Sequence, residues 1–299
     1  MSRPLRYQPE EWSTFFITAR CIHGRFLVRP SPTVNRLIIG VLARATERFD
    51  VKLFGLCFLS NHYHLLVSSR NASTLAAFMQ YVGSNIAREV GRLHGWREKF
   101  WGRRYYASIV LDEEALQERM KYILSNSVKE GLVKHPRYWP GVHSYRNLAE
   151  GTPLHGIWVD RTAQYNQPSL AEKDVATHYT LKLHRLPGQQ DLSEFEYRQL
   201  IRHLTNEALE ECESEQPPLG AKRILSMDPH GTPEHSEKSP APVCHSSCDE
   251  TRRQFIAAFK SFVEGYKDAF RNALHHAMLK QVPDGGIPPV GWHALVSTG

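Results

Sequence analysis

Between Trp12 and Tyr145 the apolar residues switch repeatedly between a period of two and a period near 3.6, and that alternation leaves few folds open. Ser13 to Cys21 is β-branched and aromatic and reads as a strand. Leu37, Ile38, Val41, Leu42 and Ala45 make a helical stripe within Thr33 to Phe49, opened by Ser31-Pro32-Thr33. Val51 to Leu59 and His62 to Ser68 read as two further strands around a turn at Asn61. Leu75, Phe78, Met79, Val82, Ile86 and Val90 mark a helix over Ser73 to Leu93. Arg103 to Leu111 reads as a fourth strand, and Asp112 to Lys129 as a helix with an acidic first turn that suits its dipole and a glycine, Gly131, past its end. The order β-α-β-β-α-β-α is the ferredoxin-like (RRM-like) split pattern with one added helix. The expected fold is therefore α+β: an antiparallel sheet with helices on one face and the other face free for a site.

Charge narrows the partners. The net charge is +6, but the first 150 residues carry 22 Lys and Arg against 12 Asp and Glu, and the remainder 15 against 19. A basic domain followed by an acidic extension suggests nucleic acid as partner, without separating DNA from RNA. Apolar stretches such as Leu37 to Ala43 fall far short of the roughly 20 residues a membrane helix needs, and Met1 to Trp12 has no apolar signal core. Five scattered cysteines do not suggest a disulfide framework. The expectation is a cytoplasmic protein with no membrane partner.

Residues 1–150 form the expected compact domain and 151–213 a partly helical extension, with Ser193 to Glu213 its helix-like piece. The proline-rich stretch 214–249 reads as a disordered linker, and 250–299 as an amphipathic helix and tail with Phe255, Phe259, Phe262, Val263, Tyr266, Phe270 and Leu274 on one face. His230, His235, Cys244 and Cys248 are zinc-ligand types at irregular spacing. His245, His275 and His276 read as solvent-exposed.

The chemistry gathers at Ser60-Asn61-His62-Tyr63-His64-Leu65. Two histidines at i and i+2 of a strand share a face, close enough to share one cation, while Tyr63 points the other way. A bare H-x-H is weak, but this one opens an apolar strand, where two unpaired buried imidazoles would be costly. Tyr122 and Asn126, at i and i+4, share a helical face that would meet the imidazoles if the helix lies on the sheet. Taken alone, Tyr122 reads as an amphipathic boundary residue and Asn126 as a polar helix end.

These residues carry a resemblance. FFITAR (Phe15 to Arg20), FLSNHYHLLV (Phe58 to Val67), FWGRRYYASIV (Phe100 to Val110), YILSNSVKEGLV (Tyr122 to Val133) and WPGVHSY (Trp139 to Tyr145) stand in order and at suitable spacing. Over Trp12 to Tyr145 the domain resembles the single-tyrosine HUH transposases, and within the insertion-sequence transposase superfamily the REP-associated tyrosine transposases. The resemblance implies that His62 and His64 are the metal pair, Asn126 the third ligand and Tyr122 the nucleophile. It also implies cleavage and transfer of single-stranded DNA at hairpin-forming repeats through a 5′-phosphotyrosine, in a monomer with a cis site, a dimer being left open. Ser127 departs from the proline common in relatives, which bears on where the helix ends.

The residue types agree with these roles. Two imidazoles and an amide oxygen leave positions of an octahedral Mg²⁺ or Mn²⁺ open to water and phosphate, and the set contains no thiolate to call for zinc. Tyrosine is a poor nucleophile unless the phosphate is held in line and its charge neutralised. Arg103, Arg104, Tyr105 and Tyr106, alternating along a strand, suit single-stranded DNA through phosphate pairing and stacking. Arg88, Arg92, Arg97 and Lys99 cluster near the end of the second helix, where they would hold a hairpin stem or simply face solvent. The rival functions are a non-catalytic DNA-binding regulator and a metal-independent phosphodiesterase with paired H-x-T motifs, of which the chain shows no second copy.

Overall fold

The computed structural model describes residues 6–212, 216–233 and 242–281, with side chains as far as 272. The element order is β1 (Ser13–Arg20), α1 (Pro32–Arg48), β2 (Val51–Phe58), β3 (His62–Ser69), α2 (Ala72–Leu93), β4 (Tyr106–Val110) and α3 (Glu113–Lys129). These are followed by α4 (Tyr145–Glu150), β5 (Leu154–Val159), α5 (Arg161–Asn166), β6 (Ala176–Leu181), α6 (Glu194–Glu210), α7 (Ala221–Ser226), β7 (Cys244–His245) and α8 (Asp249–Gln281). The split pattern is as expected. The main sheet runs β2-β3-β1-β4-β7, antiparallel except for the parallel pair β4 and β7.

Helix starts follow local chemistry. Ser31 accepts from the Val34 N–H with Pro32 in the first turn, Asn71 accepts from Thr74, and Asp112 from Ala115. Gly131, at φ +64°, takes the left-handed position that ends α3. Ser127 leaves α3 unbroken to Lys129, because its backbone retains the N–H that proline would lack.

Alternation along the strands divides the sheet. Tyr63 stacks on Phe58 at 4.6 Å and meets Trp101, whose indole N–H donates to Gly83 O of α2, so this face packs against α2 and its neighbour α1. Phe16, Leu66 and Val110 face the other way, into a core built with Leu116, Met120, Ile123 and Leu124 of α3. The helices α1 and α2 thus share one face, and α3 crosses the opposite one. The reason is that β4 leads directly into α3, whose apolar stripe has only the uncovered face left to bury against.

The WPGVHSY segment clamps the β2 edge: the Trp139 indole donates to Phe58 O, the Phe58 N–H to Val142 O, and Ser144 exchanges bonds with Leu56. A second, two-stranded sheet of β5 and β6 lies on α1. At that crossing a Cβ on Gly40 would lie 1.9 Å from Ile157 O, and one on Gly156 2.2 Å from Gly40 N, so only glycine permits the approach.

The stretch 214–249, expected as a disordered linker, is built into the domain where it is described. Leu219 and Gly220 donate to Gly131 and Leu132, and Phe26 donates to Gly231 O. Beyond α7, β7 pairs with Ile109 and Val110. Backbone pairing, invisible in a proline-rich composition, supplies the order. By packing, Gln8–Arg252 form one body. In the other, Tyr7 meets Phe255 and Phe262 at 5.6 and 5.2 Å.

Candidate active site

The α3-facing side of the sheet collects the chemistry. His62 and His64 lie on the same face of β3 with ring centroids 5.1 Å apart. His64 stands 5.1 Å from the Tyr122 ring, edge to face, and both flank Phe16 at 5.2 and 5.6 Å. Asn126, one turn beyond Tyr122, is 0% exposed. The predicted His62, His64, Tyr122 and Asn126 are therefore brought together by β3 and α3.

Hydrogen bonds set the tautomers. The Asn61 amide donates to Gly24 O at 3.1 Å, which turns its Oδ1 to His62 Nδ1 at 2.6 Å and requires the proton on that nitrogen. His64 Nδ1 meets Thr18 Oγ1 at 2.9 Å, and its Nε2 is buried with no partner. Burial, with Arg20 adding to it, pushes His62 down to about 4. Burial also carries His64 well below the ordinary histidine range, assisted by His62, Arg119 and Arg20. Both rings are neutral near pH 7, and the proton on His62 Nδ1 leaves the lone pair on its Nε2.

Asn126 completes a donor set. Neither its Oδ1 nor its Nδ2 makes a well-formed hydrogen bond, although the amide lies near enough to Tyr122 to favour the phenolate slightly. A buried amide whose oxygen finds no donor costs a few kcal/mol unless a ligand satisfies it. Two neutral imidazole nitrogens and an amide oxygen fit a hard or borderline divalent cation, with Asn61 and Thr18 orienting the rings from behind. Burial raises the Tyr122 phenol above its usual pKa and Glu130 adds to this, whereas Arg119 works against it. The Arg119 guanidinium sits 5.5 Å, and the Lys129 ammonium 5.4 Å, from the Tyr122 ring centre.

The expected basic residues fall differently. Arg103, Arg104 and Tyr105 are not in a strand: Trp101 bridges Cys21 and the Gly102 N–H donates to Arg20 O, so the segment crosses the end of β1 and the strand starts at Tyr106. Arg103 and Arg104 are exposed in that loop, beside the end of β1 whose Arg20 pairs with His62. Arg104 lies over the Tyr105 ring at 5.5 Å. Arg88 and Arg92 are exposed one turn apart on α2, and Arg97 and Lys99 are exposed in the loop after it.

Of the zinc-type residues, His230 packs on Trp96 and its Nε2 meets His94 O at 2.9 Å, Cys244 is buried in β7 and Cys248 is exposed. His235, with His275 and His276 side chains, lies outside the described residues. Among the described residues no three His, Cys, Asp or Glu gather as a metal cluster. His245, expected in solvent, is half-buried against Phe16 at 5.7 Å. Sequence reasoning missed its position beside Phe16 and that of Arg119. Arg119 had a signal, three residues before Tyr122, but His245 reaches the sheet only through a pairing more than a hundred residues long-range.

Residues 26–126, about a third of the chain, match the family model described as Transposase IS200 like. More particularly, the domain is similar to the REP-associated tyrosine transposases. A Haemophilus influenzae protein so described is 25% identical over 112 residues, 34% of this chain. The match spans 64% of that relative's length. Among solved structures, a REP-associated tyrosine transposase bound to a REP hairpin aligns at TM-score 0.43 with 18% identity, over 50% of this chain and 87% of its own. A Deinococcus radiodurans protein described as a transposase aligns at TM-score 0.29 with 13% identity, over 42% and 97%. No helix among the described residues is long and apolar enough to cross a membrane.

Proposed function

We propose that the protein cleaves single-stranded DNA next to hairpin-forming repeats and transfers the ends through a 5′-phosphotyrosine at Tyr122. His62, His64 and Asn126 would hold Mg²⁺ or Mn²⁺. One observation carries the reading. A phenol, two neutral imidazoles and a buried amide meet on one face of the sheet in a domain that matches a transposase family model, with His64 Nε2 and the Asn126 Oδ1 lacking partners.

The divalent ion, when bound, supplies Lewis-acid polarisation of a phosphate oxygen. The chain supplies the rest. Tyr122 Oη attacks phosphorus, the P–O3′ bond breaks, the phenolic proton passes to solvent, and the 3′ oxygen takes up a proton as it leaves. The phosphotyrosine keeps the energy of the broken diester, so a 3′-hydroxyl of another strand reverses the step without ATP. Phe16 and the stacked rings keep the phenol against the imidazoles, and Arg119 beside its ring favours the anion that forms during attack. The basic loop 97–104 and the exposed arginines of α2 would hold the DNA backbone.

The test is a labelled hairpin-bearing single strand from the protein's own genome, incubated with Mn²⁺ or Mg²⁺ and run on a denaturing gel. Wild type is expected to give a covalent adduct that requires the ion, and Tyr122→Phe none. Tight, salt-sensitive hairpin binding with no adduct on any sequence would leave the non-catalytic regulator as the function.

A further inference from the structure

Arg119 is a cation that the protein does not neutralise. It is half-buried, makes no ion pair or hydrogen bond among the described residues, and has its Nε enclosed without an acceptor. The adjacent carboxylate, Glu118, is turned to Lys121 at 2.9 Å, and Lys121 also takes Glu207. What Arg119 touches is aromatic: its guanidinium lies 5.6 Å from the Phe16 ring centre and 5.5 Å from that of Tyr122. Holding a guanidinium out of water without an anion is costly, and ring contacts return only part of that cost.

His245 stands against the same Phe16 ring. The pairing of Val110 with His245 puts the imidazole on the α3 face of the sheet, edge-on to Phe16 at 5.7 Å. Its Nε2 is buried and has no partner. The Arg119 charge acts on it, as it does on His64 and Tyr122, but the two HUH imidazoles do not figure among the groups that perturb His245. Arg119 and His245 thus both meet the Phe16 ring, which also stacks on His64. Their placement is deliberate in the fold: the Ser247 hydroxyl and N–H both donate to Asp112, the cap of α3, at 2.9 and 3.0 Å, and Ser108 donates to Pro242 O, pinning β7 on either side of His245.

We propose that Arg119 and His245 form a phosphate subsite next to Tyr122, which grips a backbone phosphate of the DNA strand neighbouring the one that is cut. A planar fork of donors without a carboxylate, joined by an imidazole nitrogen without a partner, matches the tetrahedral, singly charged phosphodiester better than a base edge. The subsite takes its ligand class from the reading of Tyr122 as acting on DNA. It also gives the segment after residue 241 a part in substrate binding, because that segment supplies His245.

The test uses full-length protein with Tyr122→Phe, so that binding is measured without cleavage. Hairpin DNA carries a single uncharged methylphosphonate at successive linkages of the unpaired strand. Neutralising one linkage is expected to weaken binding about tenfold. Arg119→Gln should lose about as much on native DNA and nothing further on that one oligonucleotide, while His245→Gln shows the same pattern more weakly. Arg119→Lys, which keeps the charge, should recover part of the affinity, and unchanged melting temperatures exclude misfolding. Losses that add at every linkage, or Arg119→Gln binding like its parent, would overturn the subsite. The two readings fail separately: coupling at one linkage without a wild-type adduct removes the cleavage mechanism and leaves the subsite, whereas an adduct without coupling does the reverse.

Discussion

The two faces of the main sheet carry the same strands and opposite economies. On the α2 face, Tyr63, Leu65, Val67 and Phe78 are almost wholly buried, and the Trp101 indole N–H that enters finds Gly83 O. On the α3 face, His64, Asn126, Ser127 and His245 all keep buried polar atoms with no partner. Unpartnered atoms occur elsewhere as well, Tyr81 Oη and Trp158 Nε1 among them, but native interiors satisfy such atoms almost without exception, so four residues of one face are a mark of a ligand rather than of careless packing. The difference shows that α2 and its face stabilise the domain, while α3 is held over a surface that remains chemically incomplete.

That contrast is broken most directly by truncating one residue on each face. Phe78→Ala removes a fully buried ring and should cost about 3–5 kcal/mol in urea unfolding. Asn126→Leu replaces a buried amide by an apolar group of similar volume and should remain within about 1 kcal/mol of wild type. The same variant should lose Mn²⁺ binding measured by calorimetry. Equal destabilisation by both substitutions would mean that the α3 face is an ordinary core.

Acid separates the faces next. His62, His143 and His245 are held down to about 4 by burial, and burial also carries His64 well below the ordinary histidine value of 6.5. The unfolded chain therefore binds more protons between these limits, and stability contributed by the neutral rings is complete above 6.5 and lost as pH falls toward 4. Each such ring contributes a slope of about 1.4 kcal/mol per pH unit in that window. Metal-free protein should show a steep loss of unfolding free energy from pH 6.5 to 4.5, reduced in His64→Leu. A flat profile would mean the rings already titrate as in water.

How far the sequence carried depends on the range of the interaction. Caps such as Ser31 and Asp112, the His62 and His64 register and the Tyr122 and Asn126 spacing are local rules, and the elements they announce fall within a few residues of where they were expected. The strand start at Arg103 failed because Gly102 is committed to Arg20 O, a contact more than eighty residues away in the chain. His245 failed for the same reason at greater distance: two residues of β7 are too few to show any period, and only Ile109 and Val110 make them a strand. Which face α3 would take was likewise a matter of which surface remained uncovered.

The smallest expected effect concerns where DNA lies relative to the incomplete face. Antiparallel geometry returns α2 from the Ser69 end of β3 to the His62 end, so Arg92, Arg97 and Lys99 finish near the same edge as the loop of Arg103 and Arg104. If that edge carries the strand, each exposed cation there contacts phosphate and releases counterions. Lys99→Ala or Arg103→Ala should then each lower the slope of log affinity against log salt by about 1, with no change in which hairpin is preferred. Arg146→Ala serves as the control, since that side chain lies beside Glu150 at 3.5 Å and should leave the slope unchanged. A slope altered equally by all three would spread the electrostatic contact over the whole domain, and one altered only by Arg103 would confine DNA to the loop across β1. Either result relocates the path of the strand without touching the chemistry assigned to Tyr122.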